Sequence, residues 1–331
     1  MIDLRPLSLG EIIDRSVSIW RAHWRALFKI FLGLQLGTWV LMKAWELISS
    51  HYFPAARGGQ RTIEMIQSDP LEALRQMGGS WAVFAALMLL SLFGSYFCAV
   101  AATHYVYPRM IGKTSSVSEA LKRSVSQLSS IAGFCALVIG WTVGVGLLLV
   151  APGAALVAIS TRGEPGPASI ALAVIGVLLA LTGFGVLILW FILRFMLGAQ
   201  VLALEPGGAA EAFRRSNTLS SGRVEPGLMG LTKIRLTIVF TVIALIMLTV
   251  SGVFAIPQMV LIFAYTNPLD PVHSNPDAIP LLFRVPAELI PVVVQAVLAP
   301  VLIVFDLVFY VDVRVRREGL DLELKLAATQ P

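Results

Sequence analysis

Two oppositely charged residues lie deep inside apolar segments, where an unpaired charge is costly. Arg194 stands 11 residues before Glu205, and Asp306 stands 8 to 11 residues before the basic group at 314–317. At about 1.5 Å per helical residue, both charges lie roughly 12–16 Å inside their helix ends. The sequence therefore predicts that Arg194 and Asp306 approach each other directly or through water, with Asp312 or Glu205 as the next partner for Arg194.

These two charges fit two kinds of function. A transporter would use them to hold substrate or protons, and proline-broken helices would line its path. A structural protein would use them as one buried pair. The sequence favours the structural pair and leaves the transporter open.

A charged hexamer occurs three times along the chain, as EIIDRS at 11–16, EALKRS at 119–124 and EAFRRS at 211–216. In each copy a glutamate is followed four residues later by an arginine and then a serine. The charged residues are Glu11, Arg15, Glu119, Arg123, Glu211 and Arg215. A glutamate four residues before an arginine adds a small stabilisation on an exposed helix face.

Helix-capping signals precede the hexamers. Ser8 and Ser116 stand three residues before the glutamates of the first two copies, which predicts capping boxes. Gly208 takes that position in the third copy and makes a weaker cap. We predict three amphipathic helices at the cytoplasmic membrane interface. They would act mainly as topology anchors, and a role in binding lipid headgroups or a partner stays open.

No other residue pattern indicates catalysis or metal binding. None of the four histidines has a metal-ligand spacing with Cys, Asp or Glu, and no HExxH, GxSxG or phosphate-cradling glycine loop occurs. Cys98 and Cys135 both lie in apolar runs, so neither a disulfide framework nor a metal site is indicated. The net charge of +5 is scattered at span ends, which argues against nucleic acid. We expect no enzyme activity and no cofactor.

The composition is that of a membrane protein. Of the 331 residues, 57% are hydrophobic and only 14% are charged, and the mean hydropathy is +0.81. A bilayer core needs about 20 apolar residues per helix. Stretches of this length predict six helical spans at roughly 27–48, 81–107, 131–159, 170–204, 234–265 and 289–311.

The predicted fold is an all-α polytopic membrane protein. Its six transmembrane helices form three hairpin units, at about 1–108, 109–205 and 206–319, each preceded by an interfacial amphipathic helix. Residues 1–319 would form a single membrane domain and 320–331 a cytoplasmic tail. Nineteen Lys and Arg residues fall on one side of this arrangement and five on the other. That asymmetry places both termini in the cytoplasm of a bacterial inner-membrane protein.

Three local patterns add expectations about packing and the tail. Gly33 with Gly37, and Gly140 with Gly144, predict close helix approach, favoured within one molecule over a dimer face. SDPLEALRQMGG at 68–79 predicts a separate outer-loop helix that ends at its Gly pair. GLDLELKL at 319–326 alternates like a strand and could dock on a partner's sheet edge, although a mobile or interfacial tail is favoured.

Three segments resemble a known family. LRPLSLGEIIDRSVSIWRAHWRALFKIF at 4–31, LRFMLGAQVLALEPGGAAEAFRRSNTLSSGR at 193–223 and FYVDVRVRREGLDLEL at 309–324 are similar to bacterial proteins related to the glycerophosphoryl diester phosphodiesterase membrane-domain family. The resemblance implies a stand-alone membrane domain, because some members carry a catalytic domain and this sequence has no soluble segment of that length. Asn217 and the Glu225-Pro226 pair depart from the family pattern and leave the fine role of the third entry helix open.

The functional expectation is a non-enzymatic inner-membrane scaffold or an accessory subunit of a membrane protein complex. The alternative is a small permease or a lipid-handling transporter. The expected partners are the lipid bilayer, its anionic headgroups and a membrane or cytoplasmic protein. The sequence does not determine the oligomeric state, the transported substrate or the identity of the protein partner.

Overall fold

The computed structural model describes residues 5–53, 64–65, 67–160, 166–224, 227, 230–266 and 279–322. Within these ranges nine helices have defined bounds and no β-strand is present. An isolated antiparallel bridge joins Arg223 and Leu231. The helices are α1 (Leu9–Tyr52), α2 (Pro70–Met110), α3 (Val117–Ser126), α4 (Leu128–Ser160), α5 (Pro167–Phe195), α6 (Gly198–Leu204), α7 (Ala209–Ser220), α8 (Thr232–Tyr265) and α9 (Leu281–Glu318).

Six helical segments of the described chain are long and apolar enough to cross a membrane, with lengths of 33 to 41 residues. Each contains one of the six predicted spans. They expose large apolar side chains, such as Leu47, Leu148 and Leu248. A helix satisfies its own backbone in lipid, so such faces suit the bilayer. The prediction of an all-α polytopic membrane protein is confirmed.

Two predicted helix boundaries are wrong. The outer-loop helix does not end at Gly78-Gly79, because α2 runs without interruption through both residues into the second span. The first hexamer does not form a separate entry helix, because it is the beginning of the 44-residue helix α1. In both places apolar residues continue on a helical face, and at Gly78-Gly79 that continuity outweighs the local stop signal.

The predicted fourth span is divided where the sequence showed no break. Helix α5 ends at Phe195 and α6 begins at Gly198. A side chain at Gly198 would collide with the ring of Phe134 on α4. The glycine therefore lets an aromatic ring pack directly on the backbone at the start of α6. By contrast, Pro152 and Pro257 lie inside continuous helices.

The chain divides into two compact units. The first comprises residues 1–12, 103–239 and 306–331, and the second comprises 13–102 and 240–305. Within the first unit, α4 packs along α5, and α7 packs on α4, α5 and α6. The three-hairpin organisation stays a prediction.

Helices α4 and α5 approach closely at glycines that the sequence analysis did not select. A Cβ added to Gly153 would lie 2.5 Å from Ala180 N and 2.6 Å from Gly176 O, and one added to Gly183 would collide with the Leu149 backbone. The four glycines of the predicted GxxxG pairs instead face open space within 4 Å: Gly33, Gly37, Gly140 and Gly144. The predicted close approach at those pairs is wrong, because helix spacing alone does not determine which face meets a neighbour.

The start of the C-terminal tail is helical. Gly319 adopts a positive φ of 68° after α9, and residues 320–322 form a further helical turn in which Leu322 N donates to Gly319 O at 2.9 Å. The strand predicted from Leu320 is therefore wrong over its first three residues. The rest of the predicted strand lies outside the described residues.

Candidate functional site

The three hexamers share a buried pair of residues. The residue after the glutamate is buried in every copy, as Ile12, Ala120 and Ala212. The serine four positions later is fully buried in every copy: Ser16, Ser124 and Ser216. Residues four apart lie on one helix face. The hexamer therefore forms a helix that buries a small polar residue in the protein interior.

The hydroxyl of Ser216 links two helices. Its Oγ donates to the backbone carbonyl of Arg194 at 2.7 Å. Arg194 lies in the last turn of α5, where carbonyl groups lack intrahelical donors. Ser124 instead donates to Ala120 O within its own helix at 3.0 Å. The third copy of the hexamer thus helps to end α5.

The glutamates of the first two hexamers take part in helix caps. The Glu11 carboxylate accepts from Ser8 N at 2.8 Å, and the Glu119 carboxylate accepts from Ser116 N at 3.2 Å. In each case the backbone N–H of the glutamate donates to the hydroxyl of the same serine. Both predicted capping boxes are confirmed. The weaker third cap is also confirmed, because Gly208 makes no side-chain cap hydrogen bond.

The third hexamer arginine joins a cluster of charged residues rather than pairing within its own helix. Arg215 binds Glu205 at 2.8 Å and also binds Glu318 at the end of α9. Its predicted intrahelical pairing with Glu211 is therefore wrong, because two carboxylates from other elements reach it first. Partial burial acts to lower the pKa of Arg215, but the hydrogen bonds to Glu205 and Glu318 raise that pKa on balance. The guanidinium stays charged.

The Glu205 cluster comprises Glu205, Arg215, Tyr310, Arg314 and Glu318. The Tyr310 hydroxyl donates to Glu205 at 2.8 Å, and Arg314 donates to Glu318 at 2.8 Å. Arg314 also donates to the Tyr310 oxygen at 3.4 Å. Each charged group has an opposite partner, so the cluster fastens the segment after α6 and the α7 helix to the end of α9.

The Asp312 cluster comprises Leu7, Arg235, Asp312 and Arg316. Asp312 is 3% exposed and accepts from Leu7 N at 2.7 Å and from Arg316 Nε at 3.1 Å. Arg235 lies 3.6 Å from the same carboxylate. Both arginines donate to Leu7 O, at 3.0 Å from Arg235 and 2.7 Å from Arg316. The residues before α1 are thereby held by the ends of α8 and α9.

A third connection closes the end of α7. Arg317 Nη1 donates to Thr218 O and Ser221 O, both at 2.9 Å. Gly222 follows with a positive φ of 109°, and its Cα faces the Arg317 guanidinium. A guanidinium therefore satisfies carbonyls that the helix end leaves without donors.

The family-like segments supply almost all of these residues. Segment 4–31 contributes Leu7, segment 193–223 contributes the residues from α5 to α7, and segment 309–324 contributes the end of α9. Arg235 is the cluster member outside them. Segment 309–324 therefore contacts each of the other two segments, which lie far from it in sequence.

The predicted pair of Arg194 and Asp306 does not form directly. The guanidinium of Arg194 instead lies over the rings of Trp141, Phe195 and Phe213, at 5.1, 5.7 and 5.2 Å from their centroids. The second-choice partners Asp312 and Glu205 are already bound in the two clusters. Aromatic faces attract a cation without bringing a second charge into the apolar region. This explains why Arg194 lies over the rings rather than beside Asp306.

Arg194 and Asp306 each retain a polar atom without a partner. Arg194 Nε and Asp306 Oδ1 are buried and have no hydrogen bond. Asp306 as a whole is 4% exposed. Contact between the two groups through water stays a prediction.

A separate ion-pair network lies in the second unit, at the predicted outer ends of α1 and α9. Lys43 contacts Glu46 at 2.6 Å and Glu288 at 2.7 Å. Arg284 contacts Glu288 at 3.0 Å and also pairs with Glu46. The three-residue spacing of Lys43 and Glu46 suits a pair within one helix, but nothing in the sequence indicates their two partners, Arg284 and Glu288.

A pocket of about 350 Å³ lies where α2, α3 and α6 meet in the first unit. Its polar wall is formed by His104, Lys113, Thr114, Ser115, Glu119 and Arg123. Its other lining includes Tyr107, Ile111, Ala203 and Leu204. Sequence analysis named Glu119 and Arg123 but did not identify a pocket. Among the described residues, no group of three or more His, Cys, Asp or Glu side chains could hold a metal ion.

Comparison with known proteins identified no relative of this chain. No protein-family model matches this chain, and neither a curated protein nor a solved structure does so.

Proposed function

We propose that this chain is a non-enzymatic scaffold or accessory subunit in a bacterial inner membrane, with both termini in the cytoplasm. The observation that carries the proposal is the pair of charge clusters around Glu205 and Asp312, both of which include residues from the end of α9. Buried charges that bind one another hold segments in position and offer little room for a substrate. Their arginines also belong to the basic side of the positive-inside count.

Two short helices would present the surface that a partner recognises. Helix α7 buries Ala212, Ser216 and Leu219 but exposes Arg214 and Thr218. Helix α3 is likewise one-sided, with Ala120 and Ser124 buried. A helix fixed on one face and charged on the other is suited to a polar interface.

The family resemblance supports this role without naming a partner. The segments that carry it are the ones that meet in the clusters, so their residue pattern has a structural explanation. We propose that the chain is a stand-alone relative of that membrane-domain family.

The test is photocrosslinking from the exposed face of α7 in intact cells. A photoreactive amino acid at position 214 should give one discrete protein adduct, and the same protein should copurify in fixed stoichiometry in mild detergent. The control is Leu148, exposed on apolar α4, where lipid contact should give no such adduct. Absence of adducts at positions 122, 214 and 218 would exclude the scaffold.

A small permease or lipid-handling transporter is the second candidate. It is favoured by the buried polar atoms of Arg194 and Asp306 that have no partner inside apolar helices. Reconstituted vesicles loaded with fluorescent phospholipid would detect movement between leaflets. A transporter should lose this movement in Asp306→Asn, whereas a scaffold should show no movement above protein-free vesicles.

A further inference from the structure

The pocket between α2, α3 and α6 has a built polar wall. Arg109 donates to Ser115 O at 2.8 Å and to Ser115 Oγ at 3.1 Å, and that hydroxyl donates to Tyr105 O at 2.7 Å. Lys113 N donates to Pro108 O at 2.9 Å, and Gly112 takes a positive φ of 83°. These contacts hold the loop that carries Lys113, Thr114 and Ser115 in one conformation.

The charges that line this pocket are unbalanced in favour of an anion. Lys113 and Arg123 line it, and neither has an ion-pair partner in the part of the chain that the structure describes. The lining carboxylate, Glu119, accepts from Ser116 N in the helix cap. His104 is buried, with Nε2 placed 3.1 Å from Gln127 Oε1. The cations are therefore the groups left to bind a ligand.

The remaining lining distinguishes the kind of anion. The Thr114 hydroxyl and the Lys113 ammonium are donors on one loop, and the Arg123 guanidinium adds further donors from α3. Lysine, arginine and hydroxyl donors together are suited to phosphate oxygens. Ile111 and Leu204 supply an apolar wall. A volume of about 350 Å³ accommodates a phosphate with a small organic substituent.

We propose that this pocket binds a phosphate-bearing anion, with Lys113 and Arg123 as its charge-binding residues and Thr114 as a hydroxyl donor. The site goes beyond the scaffold role, which does not need it. The phosphate comes either from the headgroup of an anionic phospholipid or from a soluble phosphate ester. The two sources share their chemistry and differ in how they reach the protein.

The first experiment measures binding of phosphatidylglycerol to the full chain in neutral detergent by native mass spectrometry. Lys113→Gln and Arg123→Gln should each weaken binding about fivefold, and the double variant on the order of twentyfold. The matched control is Lys122→Gln, which removes a neighbouring exposed charge on α3 that does not line the pocket. It should change binding by less than about twofold.

Equal weakening by Lys122→Gln would show general surface attraction, and that result or unchanged binding in the double variant would overturn the phospholipid headgroup as the occupant of this pocket. The second experiment does not depend on these variants. Ile111→Cys, on the apolar wall of the pocket, should be protected from maleimide by the bound anion, whereas exposed Ser126→Cys on α3 should not. Equal labelling of Ile111→Cys with and without every phosphate probe would overturn the site.

The probes also identify the source of the phosphate. Protection of Ile111→Cys by phosphatidylglycerol nanodiscs, but not by millimolar glycerol 1-phosphate or inorganic phosphate in phosphatidylcholine nanodiscs, assigns the site to a lipid headgroup. Protection by the soluble esters in phosphatidylcholine nanodiscs assigns it to a soluble ligand. Either pattern supports the pocket and leaves the scaffold proposal to its own crosslinking test.

Discussion

Two buried aspartates on α9 show how strongly a charged residue depends on its immediate surroundings. Asp312 is 3% exposed and accepts hydrogen bonds from Leu7 and Arg316, with Arg235 nearby. Asp306, six residues earlier, is 4% exposed and has an oxygen without a partner. Removing one member of a buried pair leaves the other charge stranded, whereas removing an unpaired charge strands nothing.

Asparagine substitutions at these two positions should therefore have opposite consequences. Asp312→Asn should lower the free energy of unfolding by about 3–5 kcal/mol, because Arg235 and Arg316 lose their carboxylate. Asp306→Asn should change it by less than about 1 kcal/mol. Thermal unfolding in detergent, followed by tryptophan fluorescence, would compare the two. A larger loss at Asp306 than at Asp312 would mean that Asp306 has a partner, such as a water bridge to Arg194.

The buried hexamer serine, Ser216, should contribute more to the free energy of unfolding than the exposed Thr218 on the same helix. Ser216→Ala removes the donor to Arg194 O and should cost about 1–3 kcal/mol, because that carbonyl loses its partner. Thr218→Ala, on the exposed face of the same helix, should stay within about 0.5 kcal/mol. Chemical denaturation of both variants in one detergent would measure the difference. Equal effects would remove the link between α7 and the end of α5.

At the scale of the elements, the contact between α4 and α5 depends on a few glycines. Gly153 and Gly183 face neighbouring backbone so closely that a methyl group would displace it, whereas Gly140 on α4 faces open space. Packed interiors accommodate extra atoms poorly. In open positions alanine is the better helix former by roughly 1 kcal/mol.

Gly183→Ala should lower the unfolding midpoint, at a cost of about 1–3 kcal/mol from overpacking against Leu149. Gly140→Ala should leave the midpoint unchanged or raise it slightly. The readout is the temperature at which each purified variant loses its monodisperse peak in size-exclusion chromatography. A destabilising Gly140→Ala together with a neutral Gly183→Ala would restore the GxxxG interpretation.

For the whole molecule, the orientation in the membrane can be tested with two exposed positions. Arg75 near the start of α2 has an 84% exposed side chain, and Lys122 on α3 is also exposed. The excess of Lys and Arg on one side predicts that position 75 faces outward and position 122 faces the cytoplasm. Cys98 and Cys135 are buried and should label slowly.

A membrane-impermeant maleimide added to intact spheroplasts should label Arg75→Cys but not Lys122→Cys. Lysis should expose Lys122→Cys to the reagent, since the barrier to it is the membrane. Labelling of both positions before lysis would contradict the six-span topology, and the reverse pattern would invert it.

The sequence by itself determined the class of the protein, the six spans and two of the three helix caps. Each follows from properties that act over neighbouring residues: apolar length and Ser-to-Glu spacing. The helical conformation of the three hexamers could be predicted from the sequence for the same reason. The spacing placed Arg215 on a helix surface but carried no information about its partner Glu318, which is 103 residues away.

The tertiary structure decided which groups meet. Depth along each helix gave Arg194 and Asp306 similar positions, but rotation about the helix axis placed aromatic rings rather than Asp306 beside the guanidinium. Rotation also separated the open Gly140 from the close contact at Gly183. Sequence spacing specifies the face of a helix, and only packing specifies what that face contacts. For the same reason Arg215 binds Glu205 and Glu318, and the pocket beside Lys113 forms from helices that no motif connects.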